Sequence, residues 1–118
     1  MQYMLMCCFD ESAWNELPDA QKDQIMRDYG DWIQNLVDAG RLRGGAKLYP
    51  APSAKTVRMK IGKAVFTDGP FAETKEQVGG FHLIDCNDLN EAMSIAARIP
   101  TLTAGGTVEV RCIEELEL

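Results

Sequence analysis

The feature that most constrains the fold is the first apolar segment of the chain, QYMLMCCF at residues 2–9. Successive side chains of a β-strand point to opposite faces of a sheet. The two faces of such a strand would carry Tyr3, Leu5 and Cys7 on one side and Met4, Met6 and Cys8 on the other. Both sets are apolar, so the segment predicts a strand that must be covered on both sides.

The rest of the chain alternates between helical and extended patterns. Apolar periodicity predicts two helices, over about 19–39 and 89–99. Extended patterns occur in RLRGGAKLYP, in GFHLIDC, in TVEVRCI, and in the pair TVRMK and AVFTD, which forms a hairpin with its turn near Gly62. The order is strand, helix, strand, hairpin, strand, helix, strand. It predicts an α+β fold, a ferredoxin-like split βαβ with an added hairpin.

Two helices cannot cover both faces of such a sheet. They would pack together on one face and leave the other bare. Monomers rarely expose a continuous apolar patch of more than a few hundred Å². The sequence therefore predicts a twofold homodimer in which two sheets face each other and enclose a cavity.

Composition narrows the class of protein. The 118 residues suit a single domain over 1–118. The chain has 12 Lys and Arg against 18 Asp and Glu, a net charge of -6, which argues against nucleic acid or an anionic membrane surface as partner. The N-terminal segment has neither a basic region nor the length of a membrane span.

Four cysteines and one histidine are the candidate ligands for a metal, and their spacing does not suit one. No CxxC pair occurs, and Cys7 and Cys8 would point to opposite faces of a strand. We therefore expect no metal site and no cofactor. We expect the cysteines to be small, buried, reduced side chains, which favours a cytoplasmic location.

Several long motifs resemble one family. The segments YMLMCC, DAGRLRGGAKL, TVRMKIGKAVFTDGPFAETKEQVGGFHLID, DLNEAMSIAARIP and GTVEVR are similar to the DGPF branch of the YCII-related (YciI-like) superfamily. The resemblance implies a ferredoxin-like fold assembled as a dimeric α+β barrel. Members of this branch are mostly uncharacterised, and many occur beside extracytoplasmic-function sigma factors. Some relatives in the wider superfamily look like enzymes, including a chloromuconolactone dehalogenase.

The resemblance also bears on catalysis. Relatives outside this branch carry a His in the first helix and an Asp near its end, which are proposed as a catalytic pair. The Asp corresponds to Asp38, but Tyr29 stands at the position of the His. A phenol with a pKa near 10 is a poor general base at neutral pH.

The stretch TDGPFAETKEQVGG at residues 67–80 allows two interpretations. Asp68, with the Gly and Pro that follow it, is explained by turn chemistry alone. Alternatively, a loop at the mouth of the cavity would present Asp68, Glu73 and Lys75 to a small polar ligand.

Three further side chains are candidates. His82 could act as a general acid or base if its face of the strand lines the cavity, or it could be an amphipathic filler. If the neighbouring valines meet the helices, Glu109 and Arg111 point into the cavity. There Arg111 would bind an anion, or the two would form an ion pair. Arg58 on the hairpin is a further candidate for ligand binding.

Two functions are consistent with these patterns. One is a small-molecule binder or cofactor-free enzyme that catalyses proton transfer or elimination on a carbonyl or lactone compound. In it Asp38 or His82 would be the base and Arg111 would hold the anion. The alternative is an accessory protein that interacts with an extracytoplasmic-function sigma factor, for which an acidic surface would complement a basic partner.

Overall fold

The computed structural model of the chain describes residues 1–71 and 74–116. Its helices and strands are β1 (Gln2–Asp10), α1 (Glu11–Asn15), α2 (Asp19–Asp38), β2 (Leu42–Lys47), β3 (Lys55–Lys60), β4 (Lys63–Asp68), β5 (Glu76–Asp85), α3 (Leu89–Ala96) and β6 (Thr107–Cys112). Short 3₁₀ turns lie at Ala51–Ser53 and Pro100–Ala104. The main sheet has the antiparallel order β2-β5-β1-β6, and β3 and β4 form a separate two-stranded sheet. The α+β, ferredoxin-like pattern with an inserted hairpin is confirmed.

One face of the main sheet packs against both long helices. On β1, Tyr3 and Leu5 lie opposite Ile84 and His82 of β5 and point into the core. The helices contribute Trp32 and Leu36 from α2 and Ala92 and Ala96 from α3 to this core. The core is therefore confined to a single layer between helices and sheet.

The other face carries no helix of the described residues, and we call it the open face. Its centre consists of Met4 and Met6 on β1 with Leu83 and Phe81 opposite them on β5. These four side chains are only partly covered by their neighbours in the sheet. The two-sided apolar pattern of the first strand therefore corresponds to one helix-covered face and one open face.

A β-bulge interrupts the pairing of β1 with β5. Cys7 pairs with Gly80 and Cys8 with Val78, so Gly79 has no partner residue. A Cβ at Gly79 would lie 2.1 Å from the ring of Phe9, closer than any side chain could be placed. The close approach of the Phe9 ring therefore requires glycine at this position.

The boundaries differ from the sequence prediction in three places. The polar segment before α2 contains the helix α1, because the Asp10 carboxylate accepts hydrogen bonds from the backbone of Ser12 and Ala13 at 3.0 and 3.3 Å. Strand β5 begins at Glu76 rather than at residue 80, because it follows β1 to its end and pairs Glu76 with Asp10. The second helix ends at Ala96 rather than near residue 99, and a 3₁₀ turn follows at Pro100–Ala104.

The helix starts and turns follow the sequence signals more closely. Helix α3 begins at Leu89, as predicted, and the preceding Asp88 caps it, because its carboxylate accepts a hydrogen bond of 2.8 Å from the Glu91 backbone. The Glu91 side chain forms an ion pair with Arg41. The hairpin turn is centred on Ile61 and Gly62, as predicted.

Two further expectations can be compared with the structure. Cys7 and Cys86 are buried, but Cys112 is exposed, so the expectation that all four cysteines are buried is wrong. Cys112 is the last residue of an edge strand, where no element covers it. Among the described residues, no helix combines the length and apolarity that crossing a membrane requires.

Candidate functional site

The fold brings the one histidine of the chain to a tyrosine of α2. The Oη of Tyr29 forms a short hydrogen bond with Nε2 of His82 on β5. The Sγ of Cys7, on β1, lies 3.5 Å from the same Oη. Trp32 packs its ring against His82 with the centroids 5.0 Å apart. We call Cys7, Tyr29, Trp32 and His82 the histidine cluster.

Regular structure explains why these side chains meet. Tyr29 and Trp32 are three residues apart on α2, so both point from one side of the helix towards the sheet. Leu5 of β1 points to the helix-covered face. His82 is the residue of β5 that pairs with Leu5, so its imidazole points to the same face. Cys7 occupies the next inward position on β1. The cluster is thus held by three secondary-structure elements rather than by a loop.

Burial keeps the cluster uncharged near neutral pH. Desolvation lowers the pKa of His82, so its imidazole is neutral. Desolvation, together with the contact to Cys7, raises the pKa of Tyr29, so its phenol keeps its proton. Burial also raises the pKa of the Cys7 thiol. Because both groups are neutral, one proton lies between them; in the tautomer that carries the imidazole proton on Nδ1, Tyr29 donates this hydrogen bond to Nε2.

The Nδ1 edge of His82 lies beneath Gly45 of β2. A Cβ at Gly45 would lie 3.2 Å from Nδ1 and 2.5 Å from the carbonyl oxygen of Phe81, and the φ of +154° disfavours other residues. Strand β2 is an edge of the sheet. The backbone of Gly45 therefore lies close to Nδ1.

The arrangement is suited to moving a proton. A group that gives its proton to the Tyr29 oxygen would do so while Tyr29 gives its own proton to His82. The phenol is then a conduit and the imidazole is the base, so the high pKa of the phenol is no obstacle. This is the chemistry of a general base that acts through a positioned hydroxyl.

Glu109 and Arg111 lie on the open face. Val108 and Val110 pack against the core, so the residues between and after them point the other way, opposite Met6 and Met4. The Arg111 Nη1 and the Glu109 Oε2 are 3.3 Å apart, and both side chains are largely exposed. In the single chain Glu109 and Arg111 thus form an ion pair with each other, which is one of the two arrangements expected from the sequence.

Lys75 lies at the end of the open face. It lines a broad depression of about 650 Å³ together with Cys8, Thr74, Glu76, Thr107, Val108 and Glu109. The depression is separate from the histidine cluster.

The sheet separates His82 from Arg111. On β1, Leu5 lies opposite His82 and points to the helices, whereas Met4 lies opposite Arg111 and points to the open face. One ligand cannot contact both side chains within a single chain. The expectation that they share one site is therefore not met by the geometry of the monomer.

The remaining candidates are dispersed. Asp38 ends α2, is exposed, accepts a hydrogen bond of 2.9 Å from Gln34, and lies about 13 Å along the helix from Tyr29. Asp68 forms an exposed ion pair of 2.5 Å with Lys55, which lowers the pKa of its carboxyl group.

Two candidates belong to the hairpin and the loop after it. The guanidinium of Arg58 stacks over the ring of Phe71 at 5.2 Å. Glu73 lies outside the described residues. None of Asp38, Asp68 and Arg58 contacts the histidine cluster in the part of the chain that the structure describes.

Cys7, Trp32 and Gly45 were not singled out from the sequence as members of a site. Cys7 is buried, as expected for the cysteines, and Trp32 is buried as well. A usable signal was present in the sequence: an aromatic pair at i and i+3 on the inner stripe of a helix, with one histidine on the inner face of a strand.

The comparisons with known proteins agree with this fold. The family model of the YCII-related domain matches residues 1–117, so the chain belongs to the YCII-related family. An uncharacterized protein, R00369 of Rhizobium meliloti strain 1021, is 39% identical over 112 residues, which cover 94% of this chain and 90% of the relative. The assignment to the DGPF branch stays a prediction.

A solved structure has the same fold at low sequence identity. It is the 5-chloro-2-hydroxyhydroquinone dehydrochlorinase TftG of Burkholderia phenoliruptrix AC1100, in complex with 2,5-dihydroxybenzoquinone. The TM-score is 0.52 and the identity 14%, with 97% of this chain and 94% of that chain covered. At this identity the similarity concerns the fold alone.

Proposed function

We propose that the chain is a cofactor-free enzyme that transfers a proton on, or eliminates a group from, a small carbonyl ring compound at the histidine cluster. The observation that carries the proposal is the hydrogen bond between the Tyr29 hydroxyl and the His82 imidazole. The substrate class is supported by the dehydrochlorinase with the same fold, whose bound ligand is a dihydroxyquinone.

The chemical step uses both residues. A hydroxyl or an acidic C–H of the substrate gives its proton to the Tyr29 oxygen while Tyr29 gives its proton to Nε2 of His82. The substrate becomes an enolate or phenolate, His82 becomes an imidazolium, and Tyr29 is a phenol before and after. In an elimination the electron pair then expels the leaving group as an anion, and the imidazolium later loses its proton to water. The lowered pKa of His82 favours the neutral imidazole with which this step begins.

We further propose that the functional unit is a homodimer in which two open faces meet. The support is the apolar centre of that face, formed by Met4, Met6, Phe81 and Leu83. In such a dimer the ion pair of Glu109 and Arg111 would lie at the interface. Burying the four apolar side chains at the centre of the open face against a second copy would remove an apolar surface from water.

The test combines binding and proton exchange. Absorbance titration would measure binding of 2,5-dihydroxybenzoquinone, and ¹H NMR in D₂O would measure exchange of acidic protons in a panel of cyclic ketones, lactones and hydroxyquinones. We expect Tyr29→Phe and His82→Gln to slow exchange by about 10²-fold or more, which is typical of losing a general base. The rate in the unchanged protein should fall as the pH falls through the pKa of His82 in the folded state, which desolvation places below the ordinary value of about 6.5.

The matched control is Asp28→Asn. Asp28 precedes Tyr29 on α2, is exposed, and accepts a hydrogen bond only from Gln24 among the described residues. It should leave exchange unchanged. If the Tyr29 and His82 variants exchange every compound as fast as the control does, the histidine cluster is not an acid–base site.

A further inference from the structure

The hairpin of β3 and β4, residues 55–68, extends away from the rest of the molecule, and we call it the arm. Its two strands pair with each other and not with the main sheet. The radius of gyration is 16.3 Å, whereas a compact chain of this length has about 13–14 Å. An isolated two-stranded hairpin is marginally stable in water, so an arm of this kind needs a surface to lie on.

One face of the arm is apolar and exposed. Val57 lies opposite Phe66, and Met59 opposite Ala64, so these four side chains share a face. Met59 is 70% exposed and Phe66 71% exposed. The opposite face carries Thr56, Arg58, Lys60, Lys63, Val65 and Thr67. The arm is thus an amphipathic ribbon whose apolar face is uncovered in the single chain.

The tip of the arm has an unusual residue. Ile61 has a φ of +48°, Gly62 has a φ of +72°, and the Ile61 side chain is fully exposed. Turns with two positive φ values favour Asn-Gly, and a β-branched residue with positive φ is an outlier. Backbone strain of this kind persists where the surroundings or the function require the side chain. An exposed isoleucine in a strained turn therefore indicates a contact that the single chain does not supply.

Charge identifies the surface that the arm fits. Residues 55–68 contain four Lys and Arg and one Asp, a net charge of +3, in a chain with a total of -6. The remainder of the chain, which we call the body, therefore has eight Lys and Arg against 17 Asp and Glu, a net charge of -9. Among the described residues, Lys60 and Lys63 form no ion pair, so both are available to a partner.

We propose that the arm of one chain docks on the acidic body of a second copy, with its apolar face and Ile61 against that copy and with Lys60 and Lys63, which flank the Ile61-Gly62 tip, reaching carboxylates at the edge of the contact. Each copy offers one cationic arm and one acidic body, so a twofold dimer satisfies both at once. A wholly cationic partner surface would repel the arm. This inference rests on the proposed homodimer, and it adds that the arms, and not the open faces alone, hold the dimer together.

The first test is Ile61→Asn, measured by sedimentation equilibrium. The substitution gives the turn its preferred Asn-Gly sequence, so it relieves the strain and does not endanger folding. It removes an apolar contact from both arms, and we expect the dissociation constant of the dimer to rise about tenfold or more. The matched control is Leu89→Asn, which removes an exposed aliphatic side chain at the start of α3 and should leave the dissociation constant unchanged.

The second test is zero-length carbodiimide coupling in an equal mixture of unlabelled and ¹⁵N-labelled chains. We expect Lys60 or Lys63 to couple to carboxylates of the body in peptide pairs that contain one labelled and one unlabelled member. Such mixed pairs arise only between copies. Couplings confined to one chain would overturn the proposal.

The outcomes separate this inference from the homodimer itself. A dimer whose dissociation constant is unchanged in Ile61→Asn, with no mixed couplings, would leave the homodimer standing and refute the docking of the arm. A mass of 13.1 kDa at all concentrations would refute both. In that case no second copy covers the apolar face of the arm.

Discussion

Acidification should destabilise this protein through one residue, His82. It is the only histidine in the chain, so no other imidazole titrates between pH 5 and 7.5. Desolvation lowers its pKa in the folded state, whereas the unfolded chain has the ordinary value near 6.5. Between these two values the unfolded state binds a proton and the folded state does not. The stabilisation is therefore complete above pH 6.5 and is lost as the pH falls through the folded pKa.

The size of the loss in stability follows from the difference between the pKa values of His82 in the unfolded and folded states. Each unit between the two pKa values is worth about 1.4 kcal/mol, and because His82 is only half-buried the loss should be smaller than for a fully buried imidazole. Asp68 and Asp85 do not contribute, because ion pairs lower their pKa values further below the ordinary 3.8. They remain ionised in this range.

The assay is urea unfolding at half-unit steps from pH 5 to 7.5, at one protein concentration, for the unchanged protein and for His82→Gln. Glutamine can keep a hydrogen bond to Tyr29 but cannot titrate. The difference in the free energy of unfolding between the two proteins should shrink towards low pH. If the two curves run parallel over the whole range, the pKa of His82 is not lowered in the folded state and its imidazole is not desolvated.

Three further predictions concern stability and reactivity. Gly45→Ala should lower the free energy of unfolding by about 2 kcal/mol, because its Cβ would meet the Phe81 carbonyl. Gly30→Ala should raise the free energy of unfolding by about 0.5–1 kcal/mol, because Gly30 faces open space on α2. Thermal melts that show equal effects of the two substitutions would contradict this. Leu5→Ala should cost about 3 kcal/mol in urea unfolding because the side chain is fully buried, and a cost below about 1 kcal/mol would show that the core layer is misplaced. Cys112 should react with a chromogenic disulfide before Cys7, since only Cys112 is exposed; simultaneous reaction would contradict the burial of Cys7.

The fold was predictable from the sequence because its signals are local. The two-sided apolar pattern of the first strand, the inner stripe of α2, and the Asp88 cap each depend on residues within a turn or two of one another. Helix α1 was not predicted because it is only five residues long and depends on its cap, Asp10, which belongs by its polar neighbours to the connecting segment after the first strand. The start of β5 was missed because its pairing partner, Asp10, is distant in the sequence.

The candidate site was only partly predictable, because its geometry depends on which face of the sheet the helices cover. Tyr29 and His82 were each identified, but their hydrogen bond joins residues 53 positions apart. The sequence alone left open which face of the strand His82 occupies. Register and helix placement decided this, and they placed His82 on one face and Arg111 on the other. The exposed apolar face of the arm likewise depends on the pairing of Val57 with Phe66.

The bulge at Gly79 shifts the phase of β5 by one residue. On one side of it, Gly80, His82 and Ile84 lie on the helix-covered face; on the other side, Val78 and Glu76 lie on the open face, although all five positions are even. If Gly79 were paired regularly instead of bulged, the alternation of the strand would turn the Glu76 carboxylate to the helix-covered face, where burial without a partner is costly. A single glycine therefore keeps the acidic end of this strand in water while its other end reaches the core.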